Sequence, residues 1–272
     1  MNTKQLIKKI LNNIFIYKKV EPVKIPVISP NDGFRGQCAI ISGGSSGIGF
    51  SIAKKLSENG CKVYILGRNK EKLEQASLKI GCLYKVIDVS DVNQIENVVN
   101  DIYAEDKPNL LVNSAGVNIY EPFGTVTEKG WDACFNTNVK GTYFLSQAVT
   151  NKMKRYKIKG HVLNLSSASA LRPCYSVYVI SKHIIKDITV GMAQALIPYG
   201  IVVNAIAPGP TATPMMRKEK DEDLYFANNP TLRMASVEEI ANLALYMLSD
   251  LGAYIVGSTY YIPGGGGIVD RE

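Results

Sequence analysis

The sequence predicts one doubly wound α/β domain with a parallel sheet, and three observations predict it. The chain has 272 residues and is 46% hydrophobic, enough to bury one full core. Short apolar runs of strand character alternate along it with stretches of helical period. A glycine cluster stands directly between the first such run and the first helical stretch. Strands alternating with helices make a parallel sheet covered on both faces, because each crossover helix must lie on one face or the other.

Taken in order, the strand candidates are 38–42 (CAIIS), 62–66 (KVYIL), 83–87 (LYKVI), 109–113 (NLLVN), 161–166 (HVLNLS), 201–206 (IVVNAI) and 258–262 (STYYI). Residues 47–59 show how the helices are read. Ile48, Ile52, Ala53 and Leu56 share one face, and Gly60 can close the end. Ser236-Val237-Glu238-Glu239 reads as a capping box that starts a late helix. The domain is expected over 37–272, with a mostly parallel seven-stranded sheet. Before it, 1–36 reads as an extension that ends among the breakers Pro22, Pro26, Pro30 and Gly33. No internal repeat or low-complexity tract is visible.

Composition excludes several classes. No run reaches the ~18 consecutive apolar residues of a membrane-spanning helix. The five cysteines, Cys38, Cys61, Cys82, Cys134 and Cys174, are odd in number and spread out, with no CxxC pair. They read as free thiols in a reducing, cytoplasmic compartment, with neither a disulfide framework nor a zinc site. With two histidines and no carboxylate cluster at ligand spacing, no metal is expected. The formal charge is +7, and five of those charges lie in residues 1–24, where six lysines face one glutamate. The body of the chain is therefore nearly balanced and is not a nucleic-acid-binding surface.

The first strand runs into Ser42-Gly43-Gly44-Ser45-Ser46-Gly47-Ile48-Gly49. Glycines there let the backbone turn sharply and approach a pyrophosphate, which the free N–H groups and positive end of the following helix attract. This is the phosphate cradle of a Rossmann-like domain. The spacing Gly43-x3-Gly47-x-Gly49 resembles the TGxxxGxG signature of the short-chain dehydrogenase/reductase family, with Ser42 for the usual threonine. The resemblance covers residues 37–266. Asp88-Val89 is similar to the family's aspartate after the third strand, which contacts adenine. Asn113-Ser114-Ala115-Gly116 resembles NNAG, which supports the sheet and lies along the cofactor. Pro208-Gly209-Pro210-Thr211-Ala212-Thr213 resembles PGxxxT, whose threonine holds the nicotinamide carboxamide. The cofactor-binding residues implied are Gly43, Ser45, Ser46, Gly47, Ile48, Gly49, Asp88, Val89, Asn113, Ala115, Gly116, Pro208, Gly209, Thr211 and Thr213.

Cofactor choice is read where the second strand ends. An NAD enzyme wants an acidic residue there for the ribose 2′-OH, and that acid would repel a 2′-phosphate. Here Gly67 stands in that place and Arg68 follows, able to grip a phosphate through its planar fork. NADP(H) is the expected cofactor. The second basic residue that some family members carry before the middle glycine is absent, since Ser46 is there.

Tyr178-Val179-Ile180-Ser181-Lys182 fits YxxxK. Positions i and i+4 share a helix face, so the Lys182 ammonium can sit near the Tyr178 phenol. A free phenol titrates near 10, so acid/base work at neutral pH needs a downward shift of ~3 units, which a neighbouring ammonium and the positive nicotinamide ring both favour. Ser167 resembles the serine that hydrogen-bonds the substrate oxygen, with Ser166 as the rival assignment. Asn138 resembles the asparagine that holds a water in the proton relay to Lys182. The resemblance thus implies a catalytic tetrad of Asn138, Ser167, Tyr178 and Lys182. In it the lysine also holds the nicotinamide ribose, so Tyr178 and Lys182 count as cofactor-binding too. Ser167 and Tyr178 are 11 apart, about two closer than is usual in the family, which reads as a shortened substrate loop.

The implied activity is carbonyl–alcohol interconversion by hydride transfer, with reduction as the direction in a cell: a carbonyl reductase whose substrate is a small molecule. The substrate pocket is expected from 118–124, 168–177 and 210–235, with Tyr120, Phe123, Arg172, Tyr175, Tyr225 and Phe226, and with the charged run 217–223 as the wet face of a lid. The family resemblance implies a homotetramer or dimer, associating through long helices placed near 127–156 and 176–197. In the extension, Leu6, Ile7, Ile10, Leu11, Ile14 and Phe15 recur at helical spacing beside lysines. That stripe suits either a packing helix or a basic amphipathic helix placing residues 1–24 on the inner membrane surface. Two other classes remain open: a catalytically silent dinucleotide-binding protein, and a membrane-surface assembly component built around this helix.

Overall fold

The structure, a computed structural model, describes residues 33–216 and 224–269. The amphipathic stripe, the membrane contact expected of residues 1–24 and the charged lid run 217–223 lie outside the described residues. Seven strands form one parallel sheet: β1 (Cys38–Ser42), β2 (Lys62–Gly67), β3 (Leu83–Val86), β4 (Leu110–Asn113), β5 (Gly160–Leu165), β6 (Ile201–Pro208) and β7 (Thr259–Ile262). Their order is β3-β2-β1-β4-β5-β6-β7. The chain winds outward one way through β1, β2 and β3, then crosses back and winds the other way from β4. The reversal leaves a crevice at the carboxyl ends of β1 and β4, where such sheets bind ligands.

Burial alternates with the pleat. Ala39, Ile41, Val63, Ile65, Leu110 and Val112 face one core; Cys38, Ile40, Tyr64, Leu66 and Leu111 face the other. Helices α1 (Gly47–Glu58), α2 (Lys70–Ile80) and α7 (Val237–Leu248) cover the first face, with Ile52, Leu56, Leu73, Ile240 and Leu248 packed inward. Helices α3 (Val92–Glu105), α5 (Thr142–Tyr156) and α6 (Val177–Leu196) cover the second through Ile95, Val99, Leu145, Val149 and Leu196. Each fully buried side chain of this size contributes roughly 1.5–3 kcal/mol. The sheet is thereby a rigid floor for whatever its carboxyl ends carry.

The predicted capping box is present: Ser236 Oγ accepts the Glu239 N–H at 3.2 Å, and the Glu239 carboxylate accepts the Ser236 N–H at 2.9 Å. Phe34 is fully buried in the first core and its N–H donates to Asn59 O at 3.0 Å. The packed domain therefore takes in residues ahead of 37. The helix expected near 127–156 is interrupted. It runs as α4 (Glu128–Phe135), one π-helical stretch (Asn136–Gly141) and α5.

Candidate active site

The cradle is fixed by sterics. Gly43 has φ 68°, and a Cβ on it would lie 2.8 Å from Ala115 N. A Cβ on Gly49 would collide with the Gly43 carbonyl. Behind the turn, the buried Ser42 hydroxyl accepts the N–H groups of Ser114 and Ala115, both at 3.2 Å, fastening the glycine loop to the segment leaving β4. Helices α2, α3, α4, α6 and α7 start with capping side chains from Asn69, Asp91, Thr127, Ser176 and Ser236, whereas Ser46 gives α1 none. The first N–H groups of α1 keep their donors for an anion. Across the crevice, a Cβ on Gly47 would meet Thr213 Cγ2 at 3.4 Å. The loop carrying Thr213 is held by Gly209 N–H to Ile262 O at 3.2 Å and Thr211 Oγ1 to Gly209 O at 3.0 Å. A cleft lined by glycine backbone, one uncapped helix start and an opposing threonine fits a dinucleotide.

Other cofactor-site residues fall into two groups. Ser45, Ser46, Ile48, Ala115, Gly116 and Pro208 lie at the carboxyl edge of the sheet, with Ser46 exposed. Asn113 and Val89 are turned inward. Asn113 Nδ2 donates to Ser146 Oγ and Asn164 Oδ1, both at 2.8 Å, so its side chain ties β4 to β5 and α5. Val89 is buried in the second core, where its carbonyl closes on Gly141. At the far end, Arg68 and Asp88 project from the ends of β2 and β3, with Nη1 and Oδ2 3.7 Å apart.

The four residues of the expected tetrad come together from four places: the π-helical stretch, the end of β5 and two turns of α6. Asn138 Oδ1 accepts Val117 N–H at 2.8 Å, and its Nδ2 donates to Val117 O at 3.0 Å and Ser181 Oγ at 3.1 Å. A Cβ on Gly116 would meet Asn138 Oδ1 at 3.3 Å and Lys182 Nζ at 3.8 Å, so asparagine, lysine and the end of β4 share one corner. The π-helical stretch shifts the hydrogen-bond ladder at this position, as such insertions often do at functional sites. Lys182 is 7% exposed; its Nζ donates to Leu165 O at 2.7 Å and lies 5.6 Å from the Tyr178 ring centroid. Burial drives the Lys182 ammonium down to about 8. It therefore stays largely protonated at neutral pH.

Two expectations are sharpened here. Ser166 and Ser167 differ in burial. Ser166 Oγ donates to the Lys182 carbonyl at 2.8 Å and is occupied inside the fold. Ser167 is half-buried, caps a 3-10 turn (Ala168–Leu171), donates to Ser169 Oγ at 3.1 Å, and lies near enough to act on the Tyr178 phenol despite the short span between them. The protein's own groups hold the Tyr178 phenol above its ordinary value. Burial pushes the phenol up, and the bond with the Ser167 hydroxyl recovers part of the rise.

Sequence reasoning missed the supports. Ser181 is fully buried, accepts from Asn138 and donates to Tyr178 O at 2.7 Å, linking two tetrad members. Cys134, one turn before Asn138, accepts from Asn138 Nδ2 at 3.4 Å. The i, i+4 spacing was the available signal for Cys134, and the serine before the lysine for Ser181. The pocket walls 118–124 and 168–177 are stitched together by Phe123 N–H to Tyr175 O at 2.8 Å and a bridge between Pro122 and Ser176. Tyr120, Phe123, Tyr175 and Tyr225 are exposed on these and the neighbouring loop, Phe226 is half-buried, and Arg172 is exposed. Among the described residues no group of His, Cys, Asp or Glu could hold a metal, and no helix is long and apolar enough to cross a membrane.

A family model described as enoyl-(acyl carrier protein) reductase matches residues 43–266. The chain belongs to the short-chain dehydrogenase/reductase family. Its relatives include dehydrogenase/reductase SDR family member 6 of Xenopus laevis, 32% identical over 85% of this chain and 97% of that protein. Gluconate 5-dehydrogenase of Gluconobacter oxydans (strain 621H) is 30% identical over 85% of this chain and 94% of its own length. A solved short chain dehydrogenase/reductase family protein superposes with a TM-score of 0.78 at 32% identity, covering 87% of this chain and 99% of that one. The family assigns an oxidoreductase that acts on alcohol or carbonyl substrates with a nicotinamide dinucleotide.

Proposed function

We propose that this short-chain dehydrogenase/reductase is an NADP(H)-dependent carbonyl reductase, with Asn138, Ser167, Tyr178 and Lys182 as its catalytic residues. The carrying observation is the convergence of Tyr178, Ser167 and the buried Lys182 beside the glycine-lined cleft, with Arg68, and no acid, directly following Gly67 at the end of β2. When bound, the nicotinamide supplies the hydride to the carbonyl carbon. Ser167 donates a hydrogen bond to the substrate oxygen and fixes its direction. Tyr178 gives its phenolic proton to that oxygen as the C=O π pair becomes a lone pair there. Lys182, with a proton to give near neutral pH, restores Tyr178 and holds the ribose hydroxyls. Asn138, fixed through Val117 and Ser181, holds the water that connects Lys182 to solvent.

Two copies associate, in this reading, through the groove of about 680 Å³ between α5 and α6, which Tyr143, Gln147, Ile188 and Met192 line. A cytoplasmic location, with residues 1–24 at a membrane surface, rests on sequence alone.

The test is NADPH oxidation with a panel of carbonyl compounds, for the wild type and Tyr178→Phe. The substitution keeps the ring and removes the transferable proton, so turnover falls ~10²-fold or more while NADPH still binds. Near-normal turnover of Tyr178→Phe on its best substrate would overturn the assignment. A protein that binds NADPH and turns over nothing in the panel would favour the catalytically silent alternative.

A further inference from the structure

Arg68 does not stand alone at the end of β2. Its Nη1 lies 3.7 Å from Asp88 Oδ2, across the gap between β2 and β3. The Asp88 carboxylate is held from behind: Oδ1 accepts the Ser90 N–H at 2.9 Å, which turns the other oxygen toward the guanidinium. Two neighbouring charges have partners of their own. Lys70 pairs with Glu74 at 3.7 Å, and Asp91 accepts from Asn93 N–H at 3.0 Å and Gln94 Nε2 at 2.8 Å. The end of β2 therefore offers an incoming anion a cation whose field is already half-cancelled by a fixed carboxylate.

We infer that Asp88 is a specificity-determining counter-charge, which lowers the preference for the 2′-phosphorylated dinucleotide that Arg68 creates. The inference rests on the NADP(H) reading and adds a residue of opposite sign to it. A 2′-phosphate approaching Arg68 must displace or share the guanidinium with Asp88, and it is repelled by the same carboxylate. A neutral 2′-hydroxyl meets neither penalty. Burial alone would raise the Asp88 carboxyl. The Ser90 bonds and the Arg68 charge outweigh it and hold the group below the ordinary carboxylate range, so it is anionic throughout the neutral range. Any contact Asp88 makes with adenine is common to both dinucleotides and cancels in their ratio.

The experiment is equilibrium titration of NADPH and NADH by nicotinamide fluorescence, without turnover, in the wild type, Asp88→Asn and Arg68→Ala. Asparagine keeps an acceptor oxygen for the Ser90 N–H, and the partly exposed site tolerates it without unfolding. In Asp88→Asn the ratio of NADH to NADPH dissociation constants rises about threefold or more at low salt. The gain shrinks at high salt, as screening weakens exposed charges. An unchanged or lower ratio in Asp88→Asn, with Arg68→Ala still abolishing the preference, overturns this inference and leaves the NADP(H) reading standing. A preference that survives Arg68→Ala removes that reading and the inference with it.

Discussion

The two halves of the crevice are built by different means. In the cofactor half, residues 42–49 and 113–116 sit where one extra carbon collides with backbone: at Gly43 against Ala115, at Gly49 against the Gly43 carbonyl. The substrate half, drawn from 118–124, 168–177 and the described parts of 210–235, is joined by single backbone bonds such as Phe123 N–H to Tyr175 O and Phe226 N–H to Leu232 O. Its walls carry exposed aromatic side chains; Phe123 is 92% exposed. One half leaves few residue choices and the other leaves many. A shared cofactor can therefore be handled by a fixed frame while the substrate is chosen by loops that mutate without cost to the sheet.

The largest effect should come from filling the tightest point of the frame. Gly49→Ala drives a methyl into the Gly43 carbonyl, and neither the turn nor α1 can yield without disturbing the Ser42 latch. The expected loss is about 2 kcal/mol of stability, from overpacking. Dinucleotide affinity, read by fluorescence titration, should fall by about tenfold or more, because the α1 N–H groups move with the turn. A variant that melts and binds like the wild type would break the contrast, since the cradle would then be as permissive as the loops.

The same contrast explains what could be read from the sequence. The seven strand candidates agree with the sheet to within about two residues at their ends, because parallel strands between covering helices are short apolar runs between breakers, fully buried in β1, β4, β5 and β6. The glycine loop was legible for a steric reason, and the Tyr178–Lys182 pair because helical spacing places them on one face. The π-helical stretch around Asn138 was not legible, since a one-residue shift in a hydrogen-bond ladder leaves no periodic trace in Asn136-Thr137-Asn138. The rise of Tyr178 was missed because it depends on how deeply the fold buries the phenol, and that depth leaves no mark in the YxxxK spacing. The Arg68–Asp88 pair joins two strands that are neighbours in the sheet but 20 residues apart in the chain.

A smaller effect, but a sharper test, comes from the substrate half. Phe123→Ala removes a side chain that buries little, so stability should change by no more than about 0.5 kcal/mol. Dinucleotide affinity should be unchanged, while KM for the preferred carbonyl substrate rises. Equal losses of dinucleotide and substrate binding would show that the two halves are not independent.

The smallest expected effect lies outside both halves. His161 is the second residue of β5, at the end of the sheet opposite the crevice, 8% exposed, with Nδ1 lacking a partner among the described residues. Burial lowers its affinity for a proton; the Asp250 carboxylate and a bond to the Met247 carbonyl recover part of the loss. Its folded value is therefore below the unfolded value of about 6.5. Above about pH 6.5 the ring is neutral in both states and exerts no pH effect. Below that, the unfolded chain takes a proton that the folded one resists, so stability falls as pH drops through about 6.5 toward the folded value. Denaturant melts at neutral pH and near pH 5.5 should show the wild type losing more stability than His161→Gln, which keeps a donor for the Met247 carbonyl. Turnover per folded molecule should not follow that loss, because the proton-handling groups sit at the other end of β5, beyond Leu165. If the two variants lost stability in parallel, the acid sensitivity would lie elsewhere in the fold. If turnover of the folded protein tracked the His161 loss, the two ends of the strand would be coupled, and the frame would be less rigid than its sterics imply.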